Sequence, residues 1–385
     1  MQRVNDDILS GMSSLTVNQL VELLSEAYGN VINGGGAVNL LPSVMLWGPP
    51  GVGKSQGVRQ FAKRLESAVS KRASVTDVRL LLFNPIDLRG IPTANADKTL
   101  AVWLKPQIFQ MDDDKDLVNI LFLDEISAAP PSVQAAAYQI TLDRTVGEHK
   151  LPDNCIVIAA GNRVTDKSVA YKMPKALANR LCHFEIKDDF ESWKVWAVRA
   201  GINPRVVGFL DFRPTFLMNF EPGGDALAFA TPRSWEMVSN ILNYAAGDID
   251  SRGLVGAFPM FPMFPMIAGC VGIGAAAEFR TWCAVFDKLP SISDIFAGRP
   301  VTIPDATDAL YALVSSVVAH AKTVMQDMTA VENSVKFAHR LPPDFAAIML
   351  RDYMAFSPDY RNRLMRLRAF SDWLGKYGSL FNYEG

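Results

Sequence analysis

The sequence predicts an α/β domain built around a parallel β-sheet, followed by a region that is mainly α-helical. Five short apolar runs alternate with helical patterns between residues 38 and 187, and each run is apolar throughout rather than at every second position. Such runs are typical of strands covered on both faces, as in parallel sheets with crossover helices. The predicted strands are SVMLW (43–47), RLLLF (79–83), VNILFL (118–123), CIVIAA (155–160) and CHFEI (182–186).

Changes in pattern divide the chain into four predicted regions. Residues 1–37 hold a segment of helical spacing, LTVNQLVELLSEAY (15–28), and a flexible joint rich in glycine. The α/β core follows over residues 38–187. Beyond it strand-like runs are scarce, and helical segments predict a smaller α-helical domain over 188–328, which carries an FPM-rich insertion, and a helical tail over 329–385.

Composition predicts an ordinary globular protein of the cytoplasm. Of the 385 residues 20% are charged, and the net charge of −2 gives no general sign of nucleic acid or anionic membrane as a partner. The four cysteines are widely spaced without a CxxC pair, so we expect reduced thiols and no zinc site. The N-terminus lacks the layout of a signal peptide. The uncharged stretch 253–277 contains three prolines, which argues against a membrane span.

The segment GPPGVGKS, residues 48–55, fits the phosphate-loop pattern G-x-x-x-x-G-K-[ST]. It follows a predicted strand and opens a helical pattern, which is the context that the pattern requires. Glycines let the backbone wrap around phosphate oxygens, and a helix N-terminus adds favourable partial charge. We expect Lys54 to reach the β- and γ-phosphates and Ser55 to ligate Mg²⁺. The ATP-binding candidates are Gly48, Pro49, Pro50, Gly51, Val52, Gly53, Lys54 and Ser55.

The predicted strand in LFLDEIS (121–127) ends in two adjacent carboxylates, Asp124 and Glu125. Burial of an unpaired charge is costly, so two acids at the end of a buried strand need compensation. Carboxyl ends of parallel strands converge on the nucleotide crevice, where Asp124 would sit beside Mg²⁺ and Glu125 would activate the attacking water. The alternative is a solvated loop that carries two ordinary acids.

Six segments occur in the order seen in AAA+ ATPases. Their residues resemble those of the MoxR-type branch, near the magnesium-chelatase and dynein-related modules. The resemblance covers residues 40 to about 280 and implies an αβα sandwich with a parallel sheet, followed by an all-α lid domain. The segments are GPPGVGKS, NPIDLRGIP, LFLDEISAAPPSVQAAAYQ, VIAAGNR, ALANR and ATPRSWE.

The resemblance also assigns roles to three polar residues. Asn162 matches the sensor 1 residue, which holds the water between Glu125 and the γ-phosphate; the alternative is an asparagine that caps a loop. Arg180 matches the arginine finger, which acts on the neighbouring subunit's nucleotide; the alternative is an arginine in a surface ion pair. Arg233 matches the sensor 2 residue of the lid; the alternative is an ordinary arginine near a helix start.

An arginine finger implies assembly, because an isolated subunit lacks this group at its own site. The resemblance implies a head-to-tail ring, with a hexamer as the family norm. It also implies chaperone-like remodelling of a protein partner, often a separate protein with a von Willebrand factor A (VWA) domain. Two other functions stay open: a nucleic-acid motor or loader, whose activity would depend steeply on salt, and a scaffold that assembles on ATP with little turnover.

Several segments have no assigned role. The stretch 84–109, with Trp103 and Lys105, and the loop with Gly147, Glu148, His149 and Lys150 at its tip resemble substrate-facing insertions of this branch. We interpret His149 as a surface histidine. The repeat FPMFPMFPM (258–266) predicts either a polyproline II rod that docks a partner or a lid loop folded onto its own core. The arginines of RNRLMRLRAF (361–370) are read as a solvated helix face.

Overall fold

The computed structural model describes residues 12–163, 171, 173, 175–221, 225–245, 260–286 and 288–380. Within them the chain forms two compact units. The first runs to Asp189 and includes Glu221; the second comprises Phe190–Phe220 and the chain from Asp225 onward. The elements of the first unit are β1 Ser13–Leu15, α1 Val17–Asn33, β2 Val44–Trp47, α2 Lys54–Val69, β3 Arg72–Arg79, α3 Pro85–Arg89, β4 Ile91–Ala94, β5 Ala101–Leu104, β6 Leu117–Asp124, α4 Pro131–Asp143, β7 Thr145–Val146, β8 His149–Lys150, β9 Cys155–Gly161, α5 Lys175–Ala178 and β10 Cys182–Ile186.

Six strands of the first unit form one sheet in the order β1-β10-β2-β9-β6-β3, and all neighbouring strands are parallel. Because the strands share one direction, β2, β6, β9 and β10 all end at the same edge of the sheet. The residues at this carboxyl edge are Trp47, Asp124, Gly161 and Ile186. The sheet therefore gathers the ends of four strands around the loop that follows β2.

Each face of the sheet has its own hydrophobic core, since side chains alternate along a strand. On one face Leu46, Ile120 and Ile158 pack with Leu20 of α1 and Phe61 of α2. The other face carries Met45, Leu121 and Val157, which pack with Val133 and Ile140 of α4. Full burial of such side chains contributes roughly 1.5–3 kcal/mol each, so helices on both faces stabilise the sheet. This three-layer arrangement is the predicted one.

The second predicted strand, RLLLF (79–83), is wrong. The strand β3 ends at Arg79, and Leu80–Leu82 form a 3₁₀ turn in which Leu82 is 75% exposed. β3 is an edge strand, and its sequence RASVTDVR mixes polar and apolar residues because only part of it is buried. The criterion of uniformly apolar runs finds central strands and misses such an edge. The same applies to β1, which precedes the predicted N-terminal helix and covers the other edge of the sheet.

Two β-hairpins extend from this unit. β4 pairs with β5 and β7 pairs with β8, both antiparallel, so Trp103 lies on a hairpin strand. The hairpins contact each other: a His149 ring nitrogen, Nε2, lies 2.8 Å from the Trp103 carbonyl oxygen. Gly147, at φ +58°, lies so close to Arg89 that an added Cβ would be 2.4 Å from the Arg89 carbonyl oxygen. These contacts hold the second hairpin against the first hairpin and against the end of α3.

The second unit is helical throughout its described part. One hydrophobic core extends from Trp193 to Trp373, so it includes both the region predicted as a lid and the one predicted as a tail. The helices are α6 Phe190–Ala200, α7 Pro204–Phe212, α8 Pro232–Asn240, α9 Met260–Val271, α10 Ile273–Phe286, α11 Ile292–Phe296, α12 Thr307–Thr323, α13 Met328–Ala338, α14 Pro343–Met354, α15 Pro358–Met365 and α16 Arg368–Tyr377. No helix in the described parts of the chain is both long and apolar enough to cross a bilayer.

The polyproline II prediction for residues 258–266 is wrong for the part that the structure describes. Residues 258 and 259 lie outside the described residues, and α9 begins at Met260. Pro262 is in the first turn, where backbone N–H groups lack helical partners in any case. Pro265 lies inside the helix and removes one hydrogen bond. Ile267 and Val271, further along the same helix, are buried in the core of the second unit, and this burial favours the helix over an extended rod.

A buried ionic cluster ties three helices of the second unit together. The Lys194 ammonium group lies 2.5 Å from an Asp211 carboxylate oxygen and 3.1 Å from one of Asp352. These residues belong to α6, α7 and α14. One cation faces two carboxylates, so its charge cannot balance both. Burial, reinforced by the negative charge of Asp211, raises the pKa of Asp352 to about 6, and Lys194 opposes this shift.

This cluster predicts that the free energy of unfolding falls as the pH rises from about 4 to about 6. The folded-state pKa of Asp352 is raised above its ordinary 3.8, so the folded state binds more protons in this window, and the associated stability is lost as the pH passes the folded pKa. The expected loss is on the order of 3 kcal/mol at most. Asp352→Asn should remove this slope in urea unfolding curves, whereas the exposed control Asp305→Asn should keep it. An unchanged slope in Asp352→Asn would contradict the assignment.

Candidate nucleotide-binding site

The loop between β2 and α2 has the backbone conformation of a phosphate cradle. Gly53 immediately precedes Lys54, the first residue of α2, with φ +111°, a region that favours glycine. Gly48 begins the loop, and an added Cβ there would lie 2.7 Å from the Ile186 carbonyl oxygen at the end of β10. The glycines therefore allow both the turn into the helix and a close passage beneath the neighbouring strand. Backbone N–H groups at the start of α2 form an anion-binding end.

Lys54 is buried, with 8% of its surface exposed, and its ammonium group points back into the loop. Nζ donates hydrogen bonds to the carbonyl oxygens of Gly48 at 2.6 Å and Pro49 at 3.1 Å. A third hydrogen bond, of 3.0 Å, goes to Oδ1 of Asn162, directly after β9. A buried cation is costly unless it is hydrogen-bonded, and these three oxygens hold it at the centre of the loop.

Ser55 and Asp124 join the loop to the end of β6. The Ser55 hydroxyl group donates to Oδ2 of Asp124 at 2.8 Å, and Oδ1 of the same carboxylate accepts the Glu125 backbone N–H at 2.9 Å. Oxygens of hydroxyl and carboxylate groups are the ligands that Mg²⁺ prefers. Among the described residues, no group of three or more His, Cys, Asp or Glu side chains is placed to hold a metal alone. A Mg²⁺ ion at Ser55 and Asp124 would thus share its coordination with phosphate and water oxygens, which is its usual mode.

Glu125 has an uncommon backbone conformation, with φ +60°. A non-glycine residue in this left-handed region costs of order 1 kcal/mol, and such strain concentrates at functional sites. The conformation follows from the sharp turn of the chain after β6, where the Ile126 N–H donates to the Ala160 carbonyl oxygen at 2.9 Å. The carboxylate of Glu125 therefore leaves the sheet in a direction that a regular strand continuation would not give.

Ser127 is a site residue that the sequence analysis missed. Its hydroxyl oxygen accepts the Asn162 backbone N–H at 2.9 Å, and its carbonyl oxygen accepts a hydrogen bond from the Gln134 side chain at 3.3 Å. Ser127 packs closely against the end of β9, because a Cβ at Gly161 would lie 2.8 Å from the Ser127 hydroxyl oxygen. Ser127 thus positions Asn162 relative to the turn that carries Glu125. A small polar residue two places after Glu125 could have drawn attention to this position. Its partner, Asn162, is 35 residues away in the sequence, so the pairing was not readable from the motif.

Trp47 and His183 connect the strand before the phosphate loop to the turn before β10. The Trp47 indole N–H donates to Nδ1 of His183 at 2.9 Å, so this nitrogen acts as an acceptor, and Nε2 lies 2.7 Å from the Ala178 carbonyl oxygen. The two rings are stacked with centroids 6.1 Å apart. Together these contacts connect β2 to the last residue of α5, two residues before Arg180.

Five of the predicted residues lie together in the first unit. Lys54, Ser55, Asp124, Glu125 and Asn162 lie together at the carboxyl edge of the sheet. Arg180 is exposed in the turn between α5 and β10, at the amino edge. Arg233 is exposed at the second residue of α8, in the second unit.

A family model matches the part of the chain that forms this site. A family model described as the ATPase family associated with various cellular activities (AAA) matches residues 43–183. A search of curated proteins found no match. Among solved structures, NtrX from Brucella abortus is 16% identical, with a TM-score of 0.37, over 96% of this chain and 68% of its own. A RuvB mutant from Thermotoga maritima is 14% identical, with a TM-score of 0.32, over 80% of this chain and 88% of its own.

The family model covers β2, the phosphate loop, β6 with both acids, β9 and the start of β10. These elements include four of the six strands of the parallel sheet and the carboxyl edge at which the five polar residues meet. The predicted fold class is confirmed: an α/β unit with a parallel sheet is followed by an all-α part. The first unit of this chain has the α/β fold of an AAA+ ATPase.

Proposed function

We propose that this chain is a MoxR-type AAA+ ATPase that hydrolyses Mg²⁺-ATP and uses the energy for conformational work on a protein partner. The observation that carries the proposal is the pair of contacts that join three strand ends: Lys54 to Asn162, and Ser55 to Asp124. They place a cation, a hydroxyl group, an amide and two carboxylates around one phosphate-binding loop. This set of groups suits phosphoryl transfer, where catalysis consists mainly of positioning and electrostatic stabilisation.

Each residue has a role that follows from its position. Lys54 exchanges its hydrogen bonds to Gly48 and Pro49 for phosphate oxygens, because an ammonium group favours anionic acceptors over neutral carbonyl groups. Ser55 and Asp124 would hold Mg²⁺, which neutralises charge on the phosphates when bound. Glu125 orients the attacking water and accepts its proton, and Asn162 holds the same water from the side of β9.

Arg180 would complete a neighbouring subunit's site. Its exposure at the amino edge supports a role in trans, since it lies away from the phosphate loop of its own chain. A guanidinium group aimed at the transferring phosphoryl group contributes several orders of magnitude in rate. The proposal therefore includes a head-to-tail ring, a hexamer by resemblance, with Arg233 as the residue through which the helical unit responds to the nucleotide.

The work proposed for the ring is the remodelling or activation of a protein partner. Support comes from the two connected hairpins, which present exposed side chains outside the nucleotide site, and from the resemblance to MoxR-type proteins. A separate VWA-domain protein is the proposed class of partner. The chemistry of the hairpins is consistent with a polypeptide client, because their exposed residues include Ile91 and Leu104.

Magnesium dependence tests the proposed chemistry. Phosphate release from ATP should stop in excess EDTA, and Ser55→Ala should raise the Mg²⁺ concentration for half-maximal turnover at least about tenfold, because an oxygen ligand is lost. Ser67→Ala, an exposed serine on the same helix, is the matched control and should behave as the wild type. Turnover that persists in EDTA, or an unchanged Mg²⁺ requirement in Ser55→Ala, would refute the proposed role of Ser55.

A further inference from the structure

A cleft of about 930 Å³ lies at the amino edge of the sheet, opposite the phosphate loop, and four lysines line it. Lys71 immediately precedes β3, and Lys115 lies two residues before β6. Lys105 directly follows the hairpin strand β5, and Lys150 is the last residue of β8. We call this cavity the basic cleft. Its size is near the upper end of ligand-binding pockets.

The four lysines of the basic cleft outnumber the carboxylates that line it with them. Among the described residues none of them forms an ion pair or a side-chain hydrogen bond, although Lys71 and Lys105 are half-buried. Like charges gathered in one cleft favour a ligand of opposite charge. Two carboxylates also line the cleft, Asp113 and Asp153, so the lining carries a net excess of positive charge within a chain whose net charge is −2.

An apolar groove adjoins the basic cleft at Lys105. This second cavity, of about 450 Å³, is lined by the turn after β3, by α3 and by the base of the hairpin β4–β5, and Lys105 belongs to both linings. Several of its side chains are exposed: Leu82 by 75%, Ile91 by 60%, Leu104 by 57% and Ile86 by 50%. Exposed apolar side chains that cluster in this way are typical of interaction sites.

The two cavities have fixed positions relative to each other. The hairpins that carry Lys105 and Lys150 are joined by the His149–Trp103 contact. At the base of the first hairpin the backbone is so close that a Cβ at Gly90 would lie 2.0 Å from the Leu104 carbonyl oxygen. A ligand would thus meet a preformed surface on which a positive zone and an apolar zone are contiguous.

We propose that the basic cleft and the apolar groove together bind an extended segment of a partner polypeptide in which acidic residues adjoin apolar ones, with Lys105 at the junction. The proposal rests on the proposed function in taking the partner to be a protein, and it adds the chemical class that this partner presents. Carboxylates of the segment neutralise the four lysines, and its apolar side chains cover Leu82, Ile91 and Leu104. Charge complementarity sets orientation and encounter rate, while apolar burial contributes affinity.

A peptide fits better than nucleic acid. A phosphate backbone carries regularly spaced negative charges, which Asp113 and Asp153 would repel, and it gains little from the exposed leucines and isoleucines of the groove. A polypeptide can offer an amide or hydroxyl group opposite each aspartate and apolar side chains beyond. The loop of residues 112–116, next to the cleft, contains several aspartates. Of these, Asp114 is paired with Arg72 at 2.9 Å, and among the described lining residues only Asp113 comes from this loop.

Fluorescence anisotropy with labelled peptides tests the inference without nucleotide. A peptide of consecutive glutamates followed by leucines should bind the full chain. Replacing its glutamates by glutamines, or its leucines by serines, should weaken binding at least about tenfold in each case. The double variant Lys71→Glu/Lys115→Glu should weaken binding of the parent peptide similarly. Lys63→Glu, an exposed control on α2, should change it less than about twofold.

Basal ATP turnover, measured in parallel, separates the two proposals. Both lysine variants should keep wild-type turnover, since neither alters the phosphate loop, and a thermal melt checks that they are folded. Equal binding of the glutamate and glutamine peptides, or undiminished binding by the double variant, would overturn the inference. So would a labelled single-stranded DNA that binds more tightly than the peptide and loses affinity in the double variant. Absent turnover with intact peptide binding would count against the ATPase proposal alone.

Discussion

Replacement of Arg180 by alanine is expected to lower ATP turnover by about 10³- to 10⁵-fold while leaving nucleotide affinity nearly unchanged. The large effect is expected because a guanidinium group stabilises charge that develops on the phosphoryl group in the transition state. Ground-state binding depends instead on the phosphate loop and Lys54, which the substitution does not touch. The readouts are phosphate release and titration with a fluorescent ATP analogue.

Strand register explains why Arg180 is expected to act on another subunit. Cys182 pairs with Val44 across β10 and β2, and the phosphate loop begins four residues after Val44. At about 3.3 Å per residue, Arg180 starts well over 10 Å from its own loop along the strand direction. The residue is exposed at that end of the sheet, where another chain can reach it.

A mixing experiment makes this prediction specific. Arg180→Ala retains an intact phosphate loop, and Lys54→Ala retains an intact Arg180. If the site is shared, mixing the two inactive variants should restore part of the turnover. Arg64→Ala, an exposed arginine paired with Glu22, is the control and should remain active. Dilution of the wild type until it sediments as single chains should also abolish turnover. Full activity per chain at that dilution would refute a shared site.

Replacement of Glu125 by glutamine is expected to reduce turnover by about 10²- to 10⁴-fold and to preserve ATP binding. Glutamine keeps the size and the left-handed turn at this position but cannot accept a proton from the attacking water. The variant should therefore accumulate in the ATP-bound state. Phosphate release measures the loss, and equilibrium binding of labelled ATP measures what is retained. Glu26→Gln, exposed on α1, serves as the control.

The same variant separates a motor from an assembly scaffold. If the ring only needs bound ATP to assemble, Glu125→Gln should perform the partner function as well as the wild type. A remodelling ATPase needs repeated turnover, so the variant should hold its partner without releasing it. Equal partner function in both proteins would favour the scaffold and contradict the remodelling proposal.

The central strands of the fold were predictable because burial on both faces makes them uniformly apolar. β2, β6 and β9 are close to this rule, and each contains or overlaps a predicted run. β10 was also predicted, although it contains His183 and Glu185 and is only partly buried. The edge strands β1 and β3 do not follow it, since they bury less and tolerate polar residues. The helical form of residues 260–266 was missed for another reason: proline at three-residue spacing favours an extended rod locally, and burial of the rest of α9 reverses that preference.

Some residues of the candidate site could be predicted from the sequence, and others could not. Lys54, Ser55, Asp124 and Glu125 lie in short contiguous motifs whose chemistry is readable from the residue types. Ser127 and His183 act through partners 35 and 136 residues away in the sequence, and those pairings depend on the order of strands in the sheet. The four lysines of the basic cleft are scattered over 80 residues, so their convergence emerges only after folding.

The ionic cluster around Lys194 has a consequence for how this architecture can be inherited. Asp352 comes from the C-terminal region, yet its carboxylate faces a cation of α6, at the start of the helical unit. If recombination replaced the last helices with those of an unrelated protein, Asp352 would be lost. Lys194 would then keep only one of its two carboxylate partners in the buried core. The first and last parts of the helical unit are therefore expected to be inherited together.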